Sequence, residues 1–357
     1  MGKHVIVGAG QVGSHLVERL TGMGHDVTVV TRSGSGPEGV ERVAADVADR
    51  ARLAAVAKGA DTIYNCVNPR YHRWARDWPP MAASFLGAAE DTGAALVTLG
   101  CLYGYGPVDG PMTEDLPLAA TGTKGRVRAA MWHDMLAAHR AGRVRATELR
   151  GSDYYGPGST DQAYVGETRF VKPLLAGRRV LYFSDPSIPH AWTYLPDVAE
   201  ALAIAGTDER AYGRAWHIPT GPAVSTRELA ERLCRIAGAP APRIHEVPRP
   251  IFTAAGLASP LLKEMRETRY QFDRPYVLDS SAFQSVFGMA PTPLDDALRT
   301  IIAAAAPRPA SPETLLPEGG RPPTPPEPAS PETLLPEGGR PPTPPEPASP
   351  ESVGAGN

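Results

Sequence analysis

Cysteine is scarce in this chain: 357 residues hold only Cys66, Cys101 and Cys234. The three stand far apart, with no metal-spaced pair and no disulfide framework, so no metal site is expected. Net charge is nearly absent as well. Lysine plus arginine number 36 and aspartate plus glutamate 39, a balance of −3, which gives no electrostatic reason to expect a nucleic-acid partner. No apolar run reaches the length of a membrane span, so no membrane partner is expected. The first apolar run begins at residue 4 and leaves no room for a signal peptide. A cytoplasmic protein is the expectation.

What is present is organised around residues 1–32. His4-Val5-Ile6-Val7 reads as a short buried strand. Gly8-Ala9-Gly10-Gln11-Val12-Gly13 follows at once and fits G-x-G-x-x-G, and a helical pattern with Leu16, Val17 and Leu20 on one face comes next. A second strand, residues 27–30, runs into Thr31-Arg32. Strand, glycine turn, helix and strand in this order form a dinucleotide site. Gly8 permits the tight turn, Gly10 lets the backbone approach a pyrophosphate, and Gly13 lets helix and strand pack closely. Gln11 and Val12 open the helix whose free N–H groups face the phosphates. An NAD site carries an acid at the end of the second strand to bond the ribose 2′-hydroxyl. Here Arg32-Ser33 stand there, with no acid before Glu38. A guanidinium can pair a 2′-phosphate and a hydroxyl can support it, so NADP is expected over NAD. The competing reading of Arg32 is an exposed loop arginine.

Further along, a short strand at residues 40–44 leads to Asp46 and Val47, two more cofactor-side candidates, and Asp46 leads into a helix carrying Leu53 and Val56. Residues 61–68 read as a fourth strand ending at Cys66 to Asn68. Ligands sit outside the carboxyl ends of strands in such sheets, which places Cys66 and Asn68 on the cofactor side. Residues 69–80, PRYHRWARDWPP, read as a substrate-facing loop, a phosphate contact or a packed loop with solvated arginines. A helix at residues 81–92 and a strand at 94–99 follow. The helix at residues 125–141 has Val127, Ala130, Met131, Met135 and Ala138 as its packing face.

Several segments together resemble the extended short-chain dehydrogenase/reductase superfamily, the NAD(P)-dependent epimerase/dehydratase group. Leu102-Tyr103-Gly104 resembles its V-Y-G, Thr113-Glu114-Asp115-Leu116-Pro117 its T-E-D-x-P, and Leu149-Arg150 through Tyr155-Gly156-Pro157-Gly158 its L-R-x-x-x-x-Y-G-P-G. His190 through Ala199 resembles its V-x-D-V-A segment, and Trp216-His217-Ile218 resembles the strand before its x-S-x-x-E-L helix. The likeness spans about residues 3–303. It implies an α/β fold: a doubly wound parallel NAD(P)-binding Rossmann sheet with a smaller carboxyl-terminal substrate lobe. The expected division is 1–160, with 190–220 added, for the dinucleotide domain, and 161–189 with 221–306 for the substrate lobe. It also implies a homodimer through the helices at 81–92 and 125–141.

The departure from this family lies in its catalytic Y-x-x-x-K, where Lys124-Gly125-Arg126-Val127-Arg128 stands instead, and Leu99 replaces the expected Ser or Thr. Arg128 can bind a ribose or phosphate as a cation but cannot relay a proton as a neutral base. Lys124 is a candidate acid if burial or Arg128 depresses its pKa. Tyr103, at a strand end that abuts the nicotinamide in the family, is the other; Tyr105, Tyr154 and Tyr155 are weaker ones. Each tyrosine is equally readable as a packed aromatic with a bonded hydroxyl. Asp153 reads as a turn or cap residue, and His190 and Trp192 as lining or packing at the junction of the lobes. The function expected is an atypical NAD(P)-dependent oxidoreductase or epimerase/dehydratase acting on a small polar, sugar-nucleotide-like or carbonyl metabolite. The alternative is a non-catalytic NADP-binding redox sensor or scaffold.

From residue 307 the composition changes. Residues 309–327, PASPETLLPEGGRPPTPPE, recur unchanged at 328–346, and a third copy starts at 347. Proline this dense lacks backbone donors and fixes extended φ, so a disordered, partly polyproline tail is expected. Its Pro322-Pro325 and Pro323-Pro326 spacings offer a docking site for a partner; repeat slippage without function is the other reading.

Overall fold

A computed structural model describes residues 1–160 and 163–305; the elements below belong to the unit Met1–Pro307. The proline-rich tail lies outside the described residues. The opening apolar run is strand β1 (Lys3–Val7), and helix α1 (Gln11–Gly22) starts directly after the glycine turn. Then come β2 (Asp26–Thr31), β3 (Glu41–Ala44), α2 (Arg50–Val56), β4 (Thr62–Asn65), α3 (Trp74–Thr92), β5 (Ala95–Cys101), α4 (Thr123–Arg140) and β6 (Ala146–Gly151). The second half runs β7 (Asp153–Tyr155), α5 (Lys172–Leu175), β8 (Arg179–Tyr182), β9 (Pro189–His190), β10 (Trp192–Tyr194), α6 (Leu195–Thr207) and β11 (Ala215–His217). It ends with β12 (Val224–Ser225), α7 (Thr226–Ala237), β13 (Arg243–Glu246), α8 (Arg249–Ala258), α9 (Pro260–Thr268), α10 (Ser281–Phe287) and α11 (Leu294–Ala305).

Seven strands form one sheet in the order β11-β6-β5-β4-β1-β2-β3, every pair parallel. The winding reverses at β1, with β2 and β3 to one side and β4 to β6 to the other. This is the expected doubly wound sheet, and the reversal creates a crevice at the carboxyl ends of β1 and β4. Both faces are covered. Ile6 of β1 packs with Leu16 and Leu20 of α1 and Leu202 of α6, while Val5 and Val7 face Leu53, Phe85 and Trp132 on the other side. Burial on both faces is why the strands read as continuous apolar runs rather than alternating ones. Leu16 and Leu20 are fully buried, and truncating either to alanine should cost about 2–5 kcal/mol. A further core gathers Phe170, Tyr182, Trp192, Leu229, Phe272 and Leu298 from the second half.

Four local expectations need correction. Helix α3 begins at Trp74, not at residue 81, and takes Pro79 and Pro80 inside it. Trp74 and Trp78 lie one turn apart, both buried against Met131, and that burial holds the first turns helical despite the prolines. The inward face of α4 carries Ala129, Met131, Trp132, Met135 and Ala138, together with Lys124 and Arg128. Ala130 is exposed and Val127 only half-buried, because the large Trp132 turns its own side inward. Strand β4 ends at Asn65, so Cys66 to Asn68 follow the strand. Asp49, not Asp46, caps α2, accepting a hydrogen bond from the Arg52 N–H.

Candidate functional site

The three glycines of the first turn differ in what surrounds them. Gly8 has φ +102°, a conformation that favours glycine, and an added Cβ would lie 2.8 Å from the Cys66 carbonyl oxygen. A Cβ on Gly13 would lie 1.9 Å from the Gly8 carbonyl oxygen, so helix and strand touch backbone to backbone. Gly10 has nothing within 4 Å of its Cβ position. It caps α1 without any side-chain hydrogen bond, leaving the leading N–H groups of the helix for an anion. A cavity of about 420 Å³ opens here, lined among others by Gly10, Gln11, Ser14, His15 and Thr160. Pro157 and Gly158 of the Y-G-P-G segment form its other wall. Gln11 Oε1 accepts from the Thr160 N–H at 3.0 Å, and His15 Nε2 lies 2.9 Å from the Pro157 carbonyl oxygen. Val12 is buried in the core and offers the site only backbone. An open glycine, an uncapped helix start and a cavity beside them fit a dinucleotide pyrophosphate.

At the end of β2, Arg32 and Ser33 are exposed. Ser33 Oγ lies 2.9 Å from Ser35 Oγ. Arg32 has no ion-pair or hydrogen-bond partner among the described residues. Asp46 is exposed, and its carboxylate accepts from the Ala48 N–H at 3.0 Å, fixing the turn after β3. Val47 is buried in the core. Past β4, the Cys66 N–H donates to the Val7 carbonyl at 2.9 Å, and burial pushes the Cys66 thiol pKa up to about 12, which keeps it protonated. Asn68 is exposed. Thus Arg32, Ser33 and Asn68 present side chains to solvent, whereas Val47 does not.

The residues in place of Y-x-x-x-K are both buried. Lys124 is 1 % exposed. Its Nζ pairs with Glu264 and, at 3.2 Å, with Glu267 of α9, and sits 4.7 Å from the centre of the Tyr71 ring. Its backbone N–H donates to Glu267 Oε1 at 2.6 Å. The ammonium is therefore committed to α9. The Arg128 guanidinium lies 4.7 and 4.4 Å from the rings of Trp74 and Trp78 and donates from Nη1 to the Leu99 carbonyl at 3.3 Å. Its buried Nε has no partner and no carboxylate pairs with it among the described residues. A buried cation without a counter-charge is costly and suits an anionic ligand. Tyr103 stacks on Trp74 with ring centres 5.9 Å apart. Burial, with Tyr71 and Asp153 acting the same way, holds its hydroxyl pKa well above the usual 10.0. This hydroxyl can donate a hydrogen bond but is a poor candidate for a phenolate base.

Two buried clusters join residues that sequence reading took one at a time; Asp153, read there as a turn or cap residue, instead opens β7. In one, Arg150 donates from Nε to Glu148 Oε2 at 2.7 Å and from Nη1 to the Tyr105 hydroxyl at 2.8 Å. That hydroxyl lies 2.7 Å from His217 Nε2, and His217 Nδ1 lies 2.8 Å from the Asp279 carbonyl oxygen. Burial lowers the His217 pKa against the pull of Glu114. A neutral imidazole donating from Nδ1 and accepting at Nε2 satisfies every link, so this chain locks the edge of the sheet. In the other, Asp153 Oδ2 lies 2.8 Å from His190 Nε2. Arg150, Asp153, His190 and His217 each fall within segments that carried the family resemblance; nothing local in them indicates that they meet.

Among the described residues, no three His, Cys, Asp or Glu side chains are placed to hold a metal ion, and no helix is long and apolar enough to cross a membrane. The sequence model of the NAD dependent epimerase/dehydratase family matches residues 4–218. The dTDP-glucose 4,6-dehydratase of an Actinoplanes species is 32% identical over 141 residues, 39% of this chain and 43% of that enzyme. The dTDP-6-deoxy-L-talose 4-dehydrogenase (NAD(P)(+)) of Kitasatospora kifunensis is 27% identical over 263 residues, 69% of this chain and 82% of that enzyme. The match to the dehydratase thus spans under half of its length. The Thermus thermophilus UDP-glucose 4-epimerase, solved in complex with NAD, superposes with a TM-score of 0.68 at 20% identity, covering 85% of this chain and 98% of that one.

Proposed function

The chain belongs to the NAD dependent epimerase/dehydratase family, and on that premise we propose that it binds a nicotinamide dinucleotide along Gly8–Gly13 and acts on a sugar nucleotide. The observation that carries the cofactor part is the contrast between Gly10 and Gly13: one open toward the cavity, the other closed against backbone. The α1 N–H groups, Gly8, Gly10, Gln11, Val12 and Gly13 would cradle the pyrophosphate. Arg32 and Ser33 would take a 2′-phosphate, which favours NADP. The turn at Asp46 and Val47 would border the adenine end, and Cys66 and Asn68 the far side of the crevice. Arg128 would face a ribose or phosphate oxygen. When bound, the nicotinamide supplies a hydride acceptor or donor. Tyr103 would donate a hydrogen bond to the substrate oxygen. Lys124 would act from behind, its pairs to Glu264 and Glu267 fixing α9 beside Tyr71.

The sugar-nucleotide part is supported by the relatives above, which are named for dTDP- and UDP-sugars. Residues 1–160 with 190–220 would hold the cofactor, and 161–189 with 221–306 the sugar. A homodimer through α3 and α4 belongs to the same reading; light scattering should give a dimeric mass, and a monomer contradicts it. The activity is tested by incubating the full chain with UDP-glucose or dTDP-glucose and either NADP or NAD, and following the sugar by NMR. Conversion of one of them to an epimer, a keto sugar or a dehydrated sugar is expected. Cofactor binding with both sugars unchanged contradicts the substrate class.

A further inference from the structure

We propose that Asp153, backed by His190, is the proton-transfer group of this site, doing the work for which Tyr-x-x-x-Lys is absent. The inference rests on the oxidoreductive reading above. Strands β7 and β10 pair in parallel with Trp192 opposite Asp153, which brings His190 alongside the carboxylate from a distant part of the chain. The imidazole is buried, stacked on Phe272 with centres 4.6 Å apart and planes at 6°, and on Tyr276 at 5.2 Å. Its orientation is thereby fixed.

Hydrogen-bond accounting then sets the protons. His190 Nδ1 lies 3.2 Å from the Gln271 carbonyl oxygen, which can only accept. Nδ1 therefore carries a hydrogen. Nε2 lies 2.8 Å from Asp153 Oδ2, and two lone pairs do not face each other at that distance. One proton must lie between them, on the imidazole or on the carboxyl; it belongs to the pair rather than to either residue. The side chain of Asp153 is 15% exposed against 3% for His190, so of the two groups the carboxyl is the one that solvent reaches. Burial chiefly, with Asp153 adding to it, raises the hydroxyl pKa values of Tyr71, Tyr103 and Tyr154 around the pair. The hydroxyl of Tyr276 is buried without a hydrogen-bond partner. With Lys124 tied to two glutamates and Tyr103 hard to ionise, the pair holds the transferable proton.

The balance is simple. As a substrate alcohol becomes a carbonyl, its C–H bond breaks with the electron pair leaving as hydride to the oxidised nicotinamide. Its O–H bond breaks with the proton passing to the pair, converting carboxylate and neutral imidazole into the proton-sharing form that the two distances imply. Carbonyl reduction runs the same exchange backwards.

Two measurements on the full chain test this. In ligand-free protein with ¹⁵N-labelled histidine, His190 should show both ring nitrogens protonated or proton-sharing at neutral pH. In Asp153→Asn the Nε2 resonance should move to that of an unprotonated nitrogen, because the amide still donates a hydrogen bond but shares no proton. A wild-type Nε2 already unprotonated, and unmoved in the variant, overturns the proposal. In turnover of UDP-glucose or dTDP-glucose, Asp153→Asn should lower kcat by about a hundredfold or more, and Asp153→Glu should recover part of it. Cofactor affinity should stay within about twofold. Wild-type kcat in Asp153→Asn overturns the proposal while leaving the proposed function standing. Absence of turnover in the wild type overturns the proposed function, and the catalytic role of the pair with it.

Discussion

Gly10 and Gly13 share one loop yet should answer oppositely to an added methyl group. Gly10→Ala meets no atom within 4 Å and its φ of −79° suits alanine, so thermal stability should stay close to wild type. The methyl would stand where a pyrophosphate approaches, and dinucleotide affinity measured by calorimetry should drop about tenfold or more, roughly 1.4 kcal/mol. Gly13→Ala would force the Gly8 backbone to move and should lower the melting temperature. Unchanged affinity in Gly10→Ala would count against the cofactor site. His4 gives a second residue-scale expectation. Burial and then His25 hold its pKa down to about 4, below the usual 6.5. Between those values the unfolded chain binds a proton that the folded chain does not. Stability is therefore full above pH 6.5 and falls as pH drops toward 4, by at most about 1.4 kcal/mol per pH unit. Urea melts at pH 7 and pH 5 should show this slope, flattened in His4→Gln; an equal slope in both proteins would refute the assignment.

At the scale of elements, Glu148 and Arg150 lie two residues apart on β6, with side chains 3% and 4% exposed. Replacing one partner of a buried pair strands the other charge, so Glu148→Gln should destabilise by about 3–5 kcal/mol in chemical melts. A loss below about 1 kcal/mol would mean that water or another group already neutralises Arg150. The elements also mark how far sequence reading reaches. Strand β1, the glycine turn, α1 and β2 were readable because their signals are local: an apolar run, fixed glycine spacing and helical periodicity. The start of α3 was not, because the burial of Trp74 and Trp78 against Met131 overrides the breaking signal of Pro79-Pro80. The face of α4 was misjudged by part of a turn because Trp132, not Val127 or Ala130, sets it. The partners of Lys124 sit on α9, far along the chain, and His190 meets Asp153 through the register of β7 with β10. Contacts of that kind leave no periodicity in either segment.

For the whole molecule, the winding of the sheet reverses at β1, the strand that feeds the glycine turn. Crevice, uncapped helix and exposed Arg32 all lie at the carboxyl ends of the strands flanking that reversal, where the proposed dinucleotide would lie. Calorimetric titration of the full chain, and of its Arg32→Ala variant, with NADP and with NAD probes the proposed dinucleotide site and the role of Arg32 together. NADP should bind at least about tenfold tighter than NAD, with the difference lost in Arg32→Ala. Tighter binding of NAD, unaffected by the substitution, would contradict the role of Arg32. Binding of neither dinucleotide would contradict the site itself.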